Sequence, residues 1–175
     1  MDAPERREAL KSAILTRTGP LSASELAGEL GVSRQVIVGD IALLRAAGLG
    51  IIATARGYMI APSSPAGRFS AKLACRHSLE QTENELSAIV ELGGEVVDVV
   101  VAHYLYGEIT GGLNISTREG VRDFVRRVRV HETRLLSELT DGVHLHTVSC
   151  PDKNTFDLIS AKLLELGILY RDPAP

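Results

Sequence analysis

No stretch of this chain approaches the ~20 consecutive apolar residues that a membrane-crossing helix needs, so the sequence argues against a helical membrane protein. Cysteine is scarce: Cys75 and Cys150 are the only two. Two thiols do not make a disulfide framework, and each reads as a small buried hydrophobe. An excess of one charge is missing too, because a formal net charge of −3 neither requires nor forbids a nucleic-acid partner. The first residues lack the apolar core of a signal peptide; Glu5, Arg6, Arg7 and Glu8 stand in its place. A cytoplasmic protein is expected. What is present is ordinary for a soluble globular chain, with 45% hydrophobic and 23% charged residues over 175 positions. That length suits one large or two small domains with a workable core.

The first sixty residues are organised by helix punctuation. Ala9, Leu10, Ala13 and Ile14 fall at helical spacing over residues 4–17, and Thr18-Gly19-Pro20 ends that helix. Ser22 and Glu25 form a capping box, since each side chain can take a free backbone N–H at the helix start. Leu26, Ala27 and Leu30 give the second helix its apolar stripe. Gly31 supplies a left-handed C-terminal residue, Val32 fills the corner and Ser33 caps the next helix. The third helix, 34–47, buries Ile37, Ile41 and Leu44 and stops at Gly48. Residues 50–60 read as a β-hairpin with Arg56-Gly57 near its tip. Three helices followed by a hairpin form a winged helix-turn-helix.

Such a module could serve protein contacts or dimerisation instead of DNA. Charge does not decide: residues 1–60 hold seven Lys+Arg and six Asp+Glu. Placement does. Arg34 and Gln35 open the third helix, whose N-terminal residues contact base edges in this architecture, and both residue types pair with purine edges. Val38, expected to be exposed, could touch a thymine methyl, and Arg45 and Arg56 could reach phosphates. Gly39 lies mid-helix, at about 1 kcal/mol against Ala.

Residues 61–67, Ala-Pro-Ser-Ser-Pro-Ala-Gly, have linker composition and no periodicity. They separate a domain at 1–61 from one at 68–172. In the second, strands are expected at 69–77, 96–106, 108–115 and 143–149, with a short last one at 168–170. The apolar run 96–106 predicts a central strand covered on both faces. Helices are expected at 79–92, after a Ser116/Glu119 capping box, and from Pro151-Asp152 to Gly167. The fold class is α+β: the winged helix-turn-helix joined to an α/β sandwich with helices over one sheet.

The run Val143-His144-Leu145-His146-Thr147-Val148 alternates with period 2 after a glycine turn, so both imidazoles share one strand face, ~7 Å apart. Neutral imidazoles at that spacing can tilt toward one cation, although most such pairs are half-exposed polar residues. His77 ends the first strand of this domain. Glu85 borders the core-facing stripe of the next helix, with Ile89 and Leu92. If the first strand lies near 143–149, His77, Glu85, His144 and His146 can converge. Three imidazoles and a carboxylate suit zinc, nickel, iron or manganese; otherwise His77 is a strand-end residue and Glu85 a solvated charge. His103, on the apolar strand, is either a core histidine held by a hydrogen bond or a ligand contact, and Arg76 could share that second role. His131 sits favourably at a helix C-terminus.

Several runs carry a wider resemblance: Val32-Ser33-Arg34-Gln35-Val36-Ile37-Val38, Ala42-Leu43-Leu44-Arg45-Ala46-Ala47-Gly48, Tyr106-Gly107-Glu108-Ile109, and, most specific, 139–147, Leu-Thr-Asp-Gly-Val-His-Leu-His-Thr. With them the chain resembles, over nearly its whole length, the niacin-responsive bacterial repressors of NAD biosynthesis and niacin transport genes. These join a winged helix-turn-helix to a three-histidine domain. The resemblance implies one divalent transition metal per chain at His77, Glu85, His144 and His146, nickel or zinc ahead of iron or manganese. It further implies a homodimer on a near-palindromic double-stranded DNA operator, with nicotinic acid as co-repressor. Two positions depart from the family pattern. Gly39 stands where a longer side chain, often Gln, is usual, which bears on base contacts. Tyr104 stands where Pro commonly follows the histidine matching His103, which bears on ligand specificity. Two other classes compete: a regulator for which the metal itself is the signal, and a metal-dependent enzyme fused to a DNA-binding domain. No separate general base presents itself for the enzyme.

Overall fold

The computed structural model describes residues 1–61, 67–131 and 133–170. Most of the expected linker (62–66) and the expected end of the second domain (171–172) lie outside those residues. The chain divides into two compact units, Met1–Ser63 and Ser64–Pro175.

The first unit contains α1 (Ala3–Thr16), α2 (Ala23–Leu30), α3 (Arg34–Ala46) and the hairpin of β1 (Ile51–Thr54) and β2 (Gly57–Ile60). The caps form as expected. Ser22 and Glu25 cap α2 reciprocally, Gly31 ends it at φ 64°, and Ser33 accepts the Val36 N–H. Leu10, Ile14, Leu26, Ile37, Ile41 and Ile51 close one hydrophobic core. Asp40 is buried within this unit and receives Arg6 at 2.6 Å and Arg7 at 3.5 Å, clamping α1 to α3. The hairpin gains a third partner where Leu21 bridges Tyr58. That approach needs a glycine at 57: its φ is +142°, and a Cβ there would stand 2.3 Å from the Leu21 carbonyl oxygen.

The second unit runs β3 (Phe69–Arg76), a one-turn 3-10 helix (Leu79–Gln81), α4 (Thr82–Glu91), β4 (Glu95–His103), β5 (Gly107–Ile115), α5 (Arg118–Val130), a second 3-10 segment (Leu136–Thr140), β6 (Val143–Cys150) and α6 (Lys153–Glu165). The sheet is antiparallel throughout, in the order β3-β6-β4-β5. Along β6, His144, His146, Val148 and Cys150 are buried while Val143, Leu145, Thr147 and Ser149 are half-buried, so one face is covered and the other is partly solvated.

Three sequence expectations need correction. The apolar run of β4 is covered on both faces only around Val100 and Val101, which are both buried, and not toward its end. The strand is interior, but Ala102 is exposed, and its neighbours Glu108 and Thr110 on the open side are exposed too. The cap of α5 is Thr117, which accepts the Gly120 N–H at 3.0 Å, not the Ser116/Glu119 pair. The last strand shrinks to a single bridge between Leu169 and Cys75.

A β-bulge decides what β4 offers the site. The register slips between Val96 and Asp98 against both neighbours, so Val99, rather than Val97 or Asp98, stands opposite His146. The Asp98 side chain accepts the Thr147 N–H at 3.1 Å, and its main-chain carbonyl is left for a side chain. Bulges concentrate where a group must be re-aimed.

Candidate functional site

Strand pairing assembles the C-terminal site. β3 and β6 run antiparallel with Cys75 opposite His144 and Leu73 opposite His146, so the end of β3 carries His77 to the start of β6. Above them, Thr82, Glu85, Leu86 and Ile89 form the buried stripe of α4. Glu85 is 1% exposed. A carboxylate there needs partners, since an unpaired buried charge is strongly unfavourable.

Those partners are three imidazoles. His77 Nε2 lies 2.7 Å from one Glu85 oxygen; His144 Nε2 lies 3.3 Å from the other, and His146 Nε2 lies 3.3 Å from the first. The rings stand edge to face, His77 on His144 with centroids 4.9 Å apart and His144 on His146 at 4.7 Å. The far side of each ring is just as defined. Nδ1 of His77 meets the Ser78 carbonyl at 2.8 Å, that of His144 the Gly142 carbonyl at 2.8 Å, and that of His146 the Asp98 carbonyl at 2.6 Å. A carbonyl only accepts, so each Nδ1 donates.

That arrangement tests whether a cation fits. With Nδ1 protonated, a neutral imidazole turns a bare Nε2 lone pair inward. Three lone pairs aimed at a carboxylate repel it unless protons or a cation lie between them. Three imidazolium ions in one closed chamber would repel each other, whereas one divalent cation satisfies all four groups. Donation of Nδ1–H to a carbonyl is also the usual way a metal-bound histidine is oriented. The donor set therefore fits a divalent transition metal, with His77, Glu85, His144 and His146 able to hold it. Cys75 is a competing donor, because its sulfur, a Glu85 oxygen and a His144 nitrogen lie within 4.8 Å of one another. Burial, then the Glu85 charge beside it, push that thiol far above its ordinary value, which keeps it protonated.

The protons respond to the same geometry. Burial works to raise the Glu85 carboxyl, but the His146 charge and hydrogen bonds from the three rings outweigh it and hold the group well below the ordinary carboxylate value. Burial works to lower His77 and His146, and the Glu85 carboxylate more than reverses this, raising both. Gly142 closes the corner: its φ is +85°, and a Cβ there would stand 2.5 Å from the His77 carbonyl oxygen.

His103 and Arg76 do not reach this chamber. His103 Nδ1 accepts the Leu105 and Tyr106 N–H groups at 3.3 and 3.4 Å, with its ring stacked on Tyr104 and Tyr106. Arg76 stands opposite Val143 on β3 and lines a surface cleft with Asp141. Sequence reasoning missed Thr82 and Asp98. Helical spacing from Glu85 could have found Thr82; nothing in the sequence announces the bulge at Asp98.

In the first unit, Arg34, Gln35, Arg45 and Arg56 are exposed, the first two at the N-terminus of α3. Val38 is not exposed as expected. It is half-buried and packed against the core, and the apolar residue that α3 shows to solvent near its start is Val36, at 37%. A Cβ on Gly39 would meet nothing within 4 Å, so nothing inside this unit requires a glycine there.

Comparison with known proteins agrees with both halves. Residues 6–59 match an HTH domain and residues 70–172 the 3H domain. The chain is 41% identical over 169 residues to the Transcription repressor NadR of Bacillus subtilis (strain 168), covering 95% of this chain and 94% of that one. It is 44% identical over 170 residues to the Probable transcription repressor NiaR of Thermotoga maritima, covering 95% and 96%. This chain therefore belongs to the family of transcription repressors that join an HTH domain to a 3H domain.

Proposed function

We propose that this chain represses genes of NAD biosynthesis or niacin transport, with nicotinic acid as co-repressor and one divalent transition metal bound by His77, Glu85, His144 and His146. A DNA-binding repressor is what its family membership and exposed α3 N-terminus make it, and a regulator rather than an enzyme. The observation that carries the finer reading is the convergence of three Nε2 atoms on one buried carboxylate. Nickel or zinc suits that set best, with iron or manganese as alternatives. The ligand side chains are only 1–4% exposed. A cation enclosed to that degree exchanges slowly, which suits a resident ion better than a metal that is itself the signal.

The operator is a near-palindrome read by a homodimer, whose two α3 helices must enter major grooves ~34–36 Å apart. A co-repressor acts by binding the DNA-competent arrangement more tightly than others. The test is operator affinity at fixed salt, with and without nicotinate, in the wild type and in His144→Ala/His146→Ala. Nicotinate should tighten wild-type binding ~5–150-fold, and operator should tighten nicotinate binding by the same factor. An unchanged wild-type affinity overturns the niacin reading and leaves DNA-binding repression standing.

A further inference from the structure

In the first unit, the side of α3 that faces solvent is poor in groups that hydrogen-bond. Arg34, Gln35 and Arg45 are its exposed side chains with that capacity, while Val36, Gly39, Ala42, Leu43 and Ala46 are exposed without it. α3 follows α2 across the Gly31–Ser33 turn and lies within the HTH match, so it is the helix that meets DNA. In that docking the N-terminal residues of the helix reach the base edges. Arg34 and Gln35 can read purine edges there. The third exposed residue of the same turn is Val36, at 37%.

The backbone presents that side chain bare and fixed. The Val36 N–H is held by the Ser33 hydroxyl at 3.3 Å, and a β-branched side chain in a helix keeps essentially one rotamer. The neighbours that could cover it lie three and four positions on. Gly39 has no side chain, and a Cβ there would meet nothing within 4 Å. Asp40 is buried and drawn toward α1 by Arg6 at 2.6 Å and Arg7 at 3.5 Å. A β-branched residue and a mid-helix glycine both weaken a helix relative to alanine. Here they adjoin, and Val36 takes no part in the core that would compensate.

The major groove offers one apolar group among its hydrogen-bonding atoms, the C5-methyl of thymine. A rigid isopropyl group on a bare patch of helix complements that methyl and leaves no polar atom unpaired. Set against the amino group of adenine or cytosine, the same side chain would desolvate a donor and return nothing. We propose that Val36 determines operator specificity by packing on a thymine methyl, with Gly39 leaving the space in which the groove closes on it. Val38, the residue for which the sequence suggests such a contact, packs against the core instead. The proposal rests on the DNA-binding reading and is independent of the metal and of nicotinic acid.

The experiment uses the full-length protein and the tightest duplex it recovers from a randomised DNA pool, selected with nicotinate present and again without it. Each thymine of that duplex is replaced in turn by uracil, which removes the methyl and keeps every hydrogen-bonding atom of the base edge. At the contacted position this should weaken wild-type binding about 4-fold, the worth of one buried methyl, or about 15-fold when made in both halves of a palindrome. Val36→Ala should bind thymine and uracil equally at that position while its Tm does not fall. Leu43→Ala, exposed on the same flank about two turns farther from the N-terminus, should keep the full difference. A wild type indifferent to uracil at every position overturns the proposal. So does a Val36→Ala protein that discriminates like the wild type, or loss of discrimination in Leu43→Ala alone. A chain that recovers no preferred duplex under either condition instead removes the DNA-binding reading, and the proposed contact with it.

Discussion

The two units carry their candidate functional residues in opposite ways. In Met1–Ser63 the core is apolar and the residues assigned to DNA project outward from it, with Arg34 and Gln35 exposed at one end of one helix. In Ser64–Pro175 the side chains proposed to hold a metal are core: His144 and His146 are each 3% exposed and Glu85 1%. The first site is local in sequence. The second joins Glu85 to His146, 61 residues away, through two strands and a helix. A surface site can lose a residue and keep its fold. A buried one changes fold, charge and ligand together.

The contrast is tested hardest at the buried site. Purified protein should carry about one transition metal per chain, and His144→Ala/His146→Ala should remove it almost completely, read by elemental analysis. Cys75→Ser should retain it, because the three Nε2 atoms and Glu85 supply four donors without the thiol. Full metal content in the double variant would mean that other residues hold the ion.

Protons come next. His77 and His146 are raised by Glu85, so metal must displace protons from them, and affinity should climb with pH by up to about 100-fold per unit while both are protonated. Stability of the metal-free protein runs the other way. Its raised histidines contribute fully below the unfolded imidazole value, ~6.5, and that contribution is lost as pH rises through their raised values. The lowered Glu85 contributes above the unfolded carboxylate value and loses this only as pH falls toward its depressed one. Chelated protein should therefore melt lower at pH 9 than at pH 6, a loss that metal-loaded protein escapes. A metal-free Tm that rises over that interval contradicts the assignment.

At the surface site the effects shrink and separate. Arg34→Ala and Gln35→Ala should each weaken operator binding by about 1–3 kcal/mol while leaving Tm unchanged. Val38→Ala should do the reverse, since Val38 packs on the core; footprinting beside thermal melts distinguishes the two. The smallest expected change is Gly39→Ala. With nothing within 4 Å of a new Cβ, it should stabilise the unit by at most about 1 kcal/mol. A simultaneous fall in operator affinity would show that DNA approaches α3 closely there.

How much of this was legible beforehand follows from the same contrast. Helix punctuation is local, so Ser22, Glu25, Gly31 and Ser33 could be read in place, and the period-2 run at 143–148 put both histidines on one face. Convergence with His77 and Glu85 depended on a strand pairing that no short-range pattern specifies. Residues whose role lies in a neighbour's geometry escaped. Asp98 acts through a bulge, and Asp40 through two arginines on another helix. Val38 was misjudged because one helical step separates it from the exposed side of α3.

The three imidazoles are all oriented by main-chain carbonyls, those of Ser78, Gly142 and Asp98. No side-chain replacement deletes a carbonyl. Ser78→Ala should thus be nearly silent although that position fixes a ring, whereas any effect of Asp98→Ala comes from the lost acceptor of the Thr147 N–H and not from the carbonyl that aims His146. The site can tolerate drift in the residues that surround it while its tautomers stay set, and a search for supporting residues by substitution alone would miss the part of the protein that aims the ligands.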